Sequence, residues 1–187
     1  MPQDRYPKEV ILKDRKEIIL KKVEEEDLES LVRLYQDTHL SFRWFLKEDP
    51  CNSDVIRKWI RNQEAGKSFA ILAIFEDRVV AHSALLLRPY GGRRHVGRLR
   101  IMVAPDFTGK QLGTWMVFDL TKRAMEMGLE KIRADFVVGV EDVAIRAFRR
   151  MDFIEEGRLR DYVQDEKGNY YDYQIMVKQL HKEWGDF

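Results

Sequence analysis

Residues 98–127 constrain the fold more than any other stretch, because they read as a strand, a short glycine-containing turn and a helix in immediate succession. The strand is carried by Leu99, Ile101, Met102 and Val103, a β-branched and apolar run that Pro105 closes because it cannot donate to a ladder. The helix follows with Leu112, Met116, Leu120, Ala124 and Met127 at helical spacing, and Gly128 stands where a left-handed cap would end it. A turn that enters a helix exposes unpaired backbone N–H groups and the positive end of the helix dipole. With Gly109 and Gly113 offering no side chain to block an approaching group, the turn is a candidate cradle for a phosphate or pyrophosphate.

The flanking chain places this unit in a mixed α+β domain. Residues 1–16, charged and carrying Pro2 and Pro7, read as an N-terminal arm with a short strand near Val10 and Leu12, and residues 17–187 as a single domain. Ile18, Ile19, Leu20 and Val23 mark a first strand of that domain. The acidic group Glu24, Glu25, Glu26 and Asp27 then suits a helix N-terminus, and Leu28, Leu31, Val32 and Tyr35 supply the inner face of the helix. An aromatic connection follows, with Phe42, Trp44 and Phe45, and it is a candidate wall for a second ligand. Ser53 is placed to cap a second helix, with Val55, Ile56, Trp59 and Ile60 facing inward.

Apolar runs at 68–75, 79–87 and 95–103 predict three consecutive strands in a meander. After the central helix, residues 131–138 read as a strand, 140–151 as a helix, and 153–162 with 170–177 as a final pair around Gly168 and Asn169. The strand–helix–strand spacing from 95 to 138 predicts parallel neighbours.

Composition narrows the functional class. Lys and Arg number 33 against 32 Asp and Glu, so no global field draws the chain to nucleic acid or to an anionic membrane. Cys51 stands alone, which excludes an internal disulfide framework and a cysteine-rich zinc site and suits a reducing compartment. No apolar run approaches membrane-spanning length and the first residues lack the apolar core of a signal peptide, so the expected location is cytoplasmic.

This order of elements and three local motifs resemble the GCN5-related N-acetyltransferase (GNAT) superfamily over roughly residues 18–177. The first motif runs from Val103 to Thr114; against the family pattern of Gln or Arg, two residues, Gly, one residue, then Gly or Ala, its first position is Thr108, its middle glycine is Gln111, and Gly113 is kept. The second motif is Glu141, Ala144, Phe148, Asp152 and Phe153, where the family reads Asn, Ala, Tyr, Gly and Phe. The third comprises the final strand pair. The resemblance implies a mostly antiparallel sheet of about seven strands with a parallel pair at a cofactor cleft, flanked by about four helices.

It further implies acetyl-coenzyme A (acetyl-CoA) as co-substrate and transfer of its acetyl group to a primary amine, on a small molecule, a polyamine or a protein, by direct attack. The implied cofactor-binding set is the backbone of Ile101, Met102 and Val103, the turn Thr108, Gly109, Lys110, Gln111, Leu112, Gly113 and Thr114, and Phe148 at the motif tyrosine position. No nucleic acid, membrane or metal is expected, and a homodimer is left open. The departures at Thr108, Gln111 and Phe148 motivate the alternative of a non-enzymatic domain that binds or senses coenzyme A. Candidates for proton transfer are His82, which titrates near neutrality within an apolar strand; Glu141, whose carboxylate also suits a helix start; and Tyr162 and Tyr173 on the final strands. Arg88, Arg93, Arg94, Arg98 and Arg100 form a basic cluster that reads either as a solvated face or as a contact for an acidic ligand.

Overall fold

The computed structural model describes residues 6–180. Its elements follow the order β1 (Lys8–Ile11), β2 (Glu17–Lys22), α1 (Leu28–Gln36), α2 (Leu40–Arg43), α3 (Ser53–Glu64), β3 (Ser68–Phe75), β4 (Arg78–Leu86), β5 (Val96–Val103), α4 (Leu112–Glu126), β6 (Lys131–Val137), α5 (Asp142–Arg149), β7 (Ile154–Gln164) and β8 (Tyr170–Gln179). The strands form one eight-stranded sheet in the order β1-β2-β3-β4-β5-β6-β8-β7. Every pairing is antiparallel except β5 with β6. The expected meander and parallel pair are therefore present. The sheet has one strand more than expected, because residues 8–11 pair with β2, and the aromatic connection contributes one more helix.

Local chemistry accounts for the helix starts. Glu24 and Asp27 cap one another ahead of α1, with the Glu24 N–H donating to Asp27 Oδ2 at 2.8 Å. Asn52, rather than Ser53, caps α3 by accepting from the Asp54 N–H at 2.9 Å. The single turn α2 is held by His39, whose Nδ1 accepts from the Ser41 N–H at 3.2 Å.

Strand alternation sorts the side chains into two layers. Arg98, Arg100 and Met102 of β5 lie on the face covered by α1 and α3, as the stacking of Arg100 on Trp59 shows. Leu99, Ile101 and Val103 lie on the other face, where Gly113 of α4 approaches Ile101 and Val103. Val117, Leu120 and Ala124 of α4 and Ile145 and Phe148 of α5 are buried with the apolar residues of this layer. Gly97 lets the layers close, since a Cβ there would lie 2.6 Å from Leu85 Cδ1 and 2.9 Å from Leu129 Cδ1.

One departure from a continuous sheet positions the site. Strands β5 and β6 pair only at Val96, Gly97 and Arg98 with Lys131, Ile132 and Arg133, although β5 runs on to Val103 and β6 to Val137. Beyond Arg98 the two strands part. The β6-facing edge of residues 99–103 is left without a strand partner, and a wedge-shaped cleft opens towards the start of α4.

Candidate active site

The cleft is closed at one end by the turn into α4. Pro105, Asp106 and Phe107 form one 3-10 turn, in which the Phe107 and Thr108 N–H groups donate to the carbonyls of Ala104 and Pro105. The next bonded amide is that of Trp115, which donates to Gln111 O at 3.1 Å. Between them the six amides of Gly109, Lys110, Gln111, Leu112, Gly113 and Thr114 donate to no protein acceptor among the described residues. Consecutive free amides at a helix start form an anion-binding concavity.

The conformation that turns these amides outward rests on two left-handed residues. Gly109 has φ 78° with open space around it, and Gln111, the N-cap of α4, has φ 69°. Gln111 thus occupies the backbone state that explains a glycine in the family pattern, at a cost of roughly 1–2 kcal/mol for a side chain with a Cβ. The Cα of Gly113 faces β5, where a Cβ would sit 3.6 Å from Ile101 Cδ1 and Val103 Cγ2, an ordinary packing contact, so the helix–sheet packing does not itself require a glycine here. The Thr108 hydroxyl turns inward to Ala104 O at 3.4 Å, and Lys110 Nζ pairs with Asp14 Oδ2 at 3.1 Å beside the ring of Phe107. The cradle is built of main chain, with the Thr108 and Lys110 side chains engaged elsewhere.

The opposite side of the cleft is built of side chains. The Val138 N–H donates to Asp172 O of β8, so the Val137 N–H, pointing the other way along the strand, faces the cleft. Glu141 Oε2 accepts from it at 2.7 Å, which places that carboxyl group on the open edge of β6. Glu141 therefore does not cap α5, although it stands at the N-cap. Part of the residue remains at the surface, but its carboxyl group is enclosed. Burial pushes its pKa up to about 7, against the Val137 hydrogen bond that lowers it, with the charge of Asp135 adding to the rise.

Tyr173 is the register partner of Val137 across β8. Glu141 and Tyr173 thus flank the same strand position, and Tyr162 packs its ring 5.7 Å from that of Tyr173. The Tyr173 hydroxyl accepts from Arg98 Nη2 at 3.2 Å, and burial together with nearby Asp135 raises its pKa, so it holds its proton at neutral pH.

The other sequence candidates lie elsewhere. His82 is 3% exposed, bonded through Nδ1 to the Tyr35 hydroxyl at 2.9 Å and stacked on Trp59 with centroids 6.0 Å apart. Burial, reinforced by Arg100, drives its pKa down to about 3, so it is a neutral core residue and not a base. Phe148 is 3% exposed and makes edge contacts of 4.8 Å with Phe136 and Phe153, which makes it a core plug rather than a cofactor contact.

Sequence reasoning missed Asp135. Its side chain is 2% exposed and lies between Arg133 Nε, at 2.6 Å, and Arg98 Nε, at 2.9 Å. A lone acid in an otherwise apolar strand with a basic residue two positions away was its only trace. The aromatic connection does reach this side: Trp44 Nε1 donates to Gln164 O at 2.9 Å, and Phe45 packs edge-on against Tyr171. The arginine cluster divides. Arg88, Arg93 and Arg94 are exposed on the β4–β5 connection, Arg98 pairs with Asp135, and Arg100 is lodged against Trp59. No helix among the described residues is long and apolar enough to cross a membrane.

Comparison with known proteins bears directly on this geometry. The family profile described as the acetyltransferase (GNAT) family matches residues 28–153. Among curated proteins no sequence matches the chain. Among solved structures, the chain is similar to an N-acetyltransferase from Staphylococcus aureus Mu50, with a TM-score of 0.77 and 14% identity over 88% of this chain and 99% of that one. It is similar to a ribosomal-protein-alanine N-acetyltransferase from Brucella melitensis, with a TM-score of 0.76 and 24% identity over 86% and 99% of the two chains. The yncA protein from Salmonella typhimurium, solved with its cofactor acetyl-CoA, gives a TM-score of 0.77 and 16% identity over 89% and 96%.

Proposed function

Because the chain belongs to the acetyltransferase (GNAT) family and is an acyl-CoA-dependent N-acyltransferase that uses acetyl-CoA, we propose that it transfers the acetyl group to a primary amine by direct attack, with Glu141 and Tyr173 moving the protons. The observation that carries the reading is the run of six unpartnered amides at 109–114 at the mouth of the β5–β6 cleft. These amides fit a pyrophosphate, and the strand-free edge of Ile101, Met102 and Val103 fits an extended amide-bearing arm. When bound, acetyl-CoA supplies the acyl thioester.

The remaining roles fall to side chains of this chain. A protonated amine must lose a proton before it attacks, and a carboxyl group with a pKa near 7 is well matched to accept it. Glu141 holds that carboxyl at the open edge of β6, fixed by the Val137 amide. The leaving thiolate needs a proton, and Tyr173, kept neutral and oriented by Arg98, is the donor at the same strand position. Phe148, in helix α5, lacks the hydroxyl of the family's motif tyrosine, and Tyr173 takes that role from strand β8.

The test is thiol release from acetyl-CoA against a panel of primary amines and peptides with free N-termini. Amine-dependent release that falls in Glu141→Gln and in Tyr173→Phe supports the assignment. Release undiminished in both variants would overturn it.

A further inference from the structure

Among the described residues Arg100 has no ion-pair partner. Of the arginines packed against the sheet, Arg98 and Arg133 both contact Asp135, whereas no carboxylate of the described residues lies within ion-pairing distance of Arg100. Its guanidinium is largely buried, with Cζ 3.7 Å from the centroid of the Trp59 ring, and its Nε, wholly shielded from solvent, has no hydrogen-bond partner. The charge of Glu48 reaches Arg100 without an ion pair, and that carboxylate is itself engaged by Lys58 Nζ at 2.5 Å and Trp59 Nε1 at 3.1 Å. The other groups packed around Arg100 add no negative charge: His82 is neutral, and the Tyr35 hydroxyl is bonded to His82. The face of Trp59 stabilises the cation but leaves its in-plane N–H donors unused.

Arg100 also lines a pocket beneath α3 whose enclosed part holds only about 20 Å³ and which opens to solvent, bordered by Leu31, Trp59, Ile60, Ser68, His82 and Leu86. A buried cation with an orphaned donor on a cavity wall is an anion site in waiting, and a planar guanidinium matches a carboxylate through paired N–H donors. Arg100 immediately precedes Ile101, Met102 and Val103, and its side chain is on the sheet face opposite α4.

We propose that Arg100 and this cavity bind a carboxylate carried by the amine acceptor, so that the preferred substrates are small amino acids or related carboxylated amines. The inference rests on the acetyl-transfer reading above and narrows its acceptor class. Polyamines and other purely cationic amines are disfavoured by the same charge.

The experiment compares matched acceptors on the acetyl-CoA-loaded protein: L-alanine with L-alaninamide, L-methionine with L-methioninamide, and phosphoethanolamine with ethanolamine. The acids should exceed their carboxamides in kcat/KM by ten- to a hundredfold, mostly through KM, and the phosphate pair should show a smaller preference. Arg100→Met should reduce the acid-to-carboxamide ratio to within about twofold, and Arg100→Lys should retain part of it. Equal use of acids and carboxamides by the unmodified protein, a larger preference for phosphate, or a ratio that survives Arg100→Met would overturn the proposal.

A second readout is independent of turnover. In a ¹⁵N-arginine-labelled sample, acetate should shift one Nε–H signal that is missing from Arg100→Lys; no shift at saturating acetate would count against the site. If acetate moves that signal while no amine releases thiol, the transfer reading fails and the anion site stands. Turnover restricted to uncharged or cationic amines would sink the site and leave transfer intact.

Discussion

The two sides of the cleft are made by opposite means. The α4 side presents six main-chain amides, while the β6 side presents the side chains of Glu141 and Tyr173. A main-chain site tolerates most side-chain substitution and fails only when its backbone conformation or local charge changes. A side-chain site fails one group at a time. The comparison teaches that cofactor affinity and acceptor chemistry should be separable by mutation.

The largest effect is expected on the β6 side. Glu141→Gln preserves an acceptor for the Val137 amide but removes the base, and should lower kcat by about a hundredfold with little change in acetyl-CoA affinity. The rate of the unmodified protein should rise with pH through about 7 as Glu141 ionises, and this limb should vanish in the variant. Stability should move the other way. Because folding raises this pKa from the ordinary value of 4.5 to about 7, the folded protein binds more protons than the unfolded chain between these values, and stability falls as pH rises through 7. At pH 8 the variant should be the more stable by about 3 kcal/mol in denaturant melts, and near pH 4 the difference should disappear.

On the α4 side the effects should fall on affinity. Thr114→Asp adds a carboxylate to the first turn of α4, where it suits the helix dipole and should stabilise the fold by up to about 1 kcal/mol. The same charge repels a pyrophosphate at the cradle. Calorimetry should find acetyl-CoA binding weakened ten- to a hundredfold, roughly 1.4–2.7 kcal/mol, alongside an unchanged or raised Tm. Equal affinity would show that the anion binds elsewhere.

Gln111→Gly should be smaller and favourable. It removes the strain of a left-handed residue and should add about 1 kcal/mol, or roughly 2–4 °C in Tm, with no loss of acetyl-CoA affinity. A drop in Tm would mean that the Gln111 side chain supports the turn. The smallest effect is expected at His82. As a neutral core residue, its replacement by Gln should leave the midpoint of the pH–rate limb where Glu141 sets it.

Most of the fold was legible because its central strands are apolar runs and its longer helices carry apolar faces. The β3–β5 meander, the parallel β5–β6 pair and the α4 turn all follow from residues near one another in the chain. The one-turn α2 was not legible, since it rests on the His39 cap and has no periodicity to read. Nor was the left-handed state of Gln111, because glutamine has no preference for it; only comparison with the family's glycine marks the position.

Candidate side chains were visible one at a time, but their convergence was not. Glu141 and Tyr173 come to the same strand position only through the register that sets Val137 opposite Tyr173, whereas His82 was claimed by Tyr35 from another layer. Arg98 and Arg100 look equivalent in the sequence. The partner that separates them, Asp135, arrives from β6.

The central claim is that this cleft holds acetyl-CoA and passes its acetyl group to an amine. Titration of the purified protein with acetyl-CoA in a calorimeter, followed by thiol release on the same sample against the amine panel, tests it most directly. The account predicts saturable binding and thiol release that depends on added amine. Binding without release on any amine would make the protein a coenzyme A-binding domain instead, and no binding at all would contradict the assignment of the cleft.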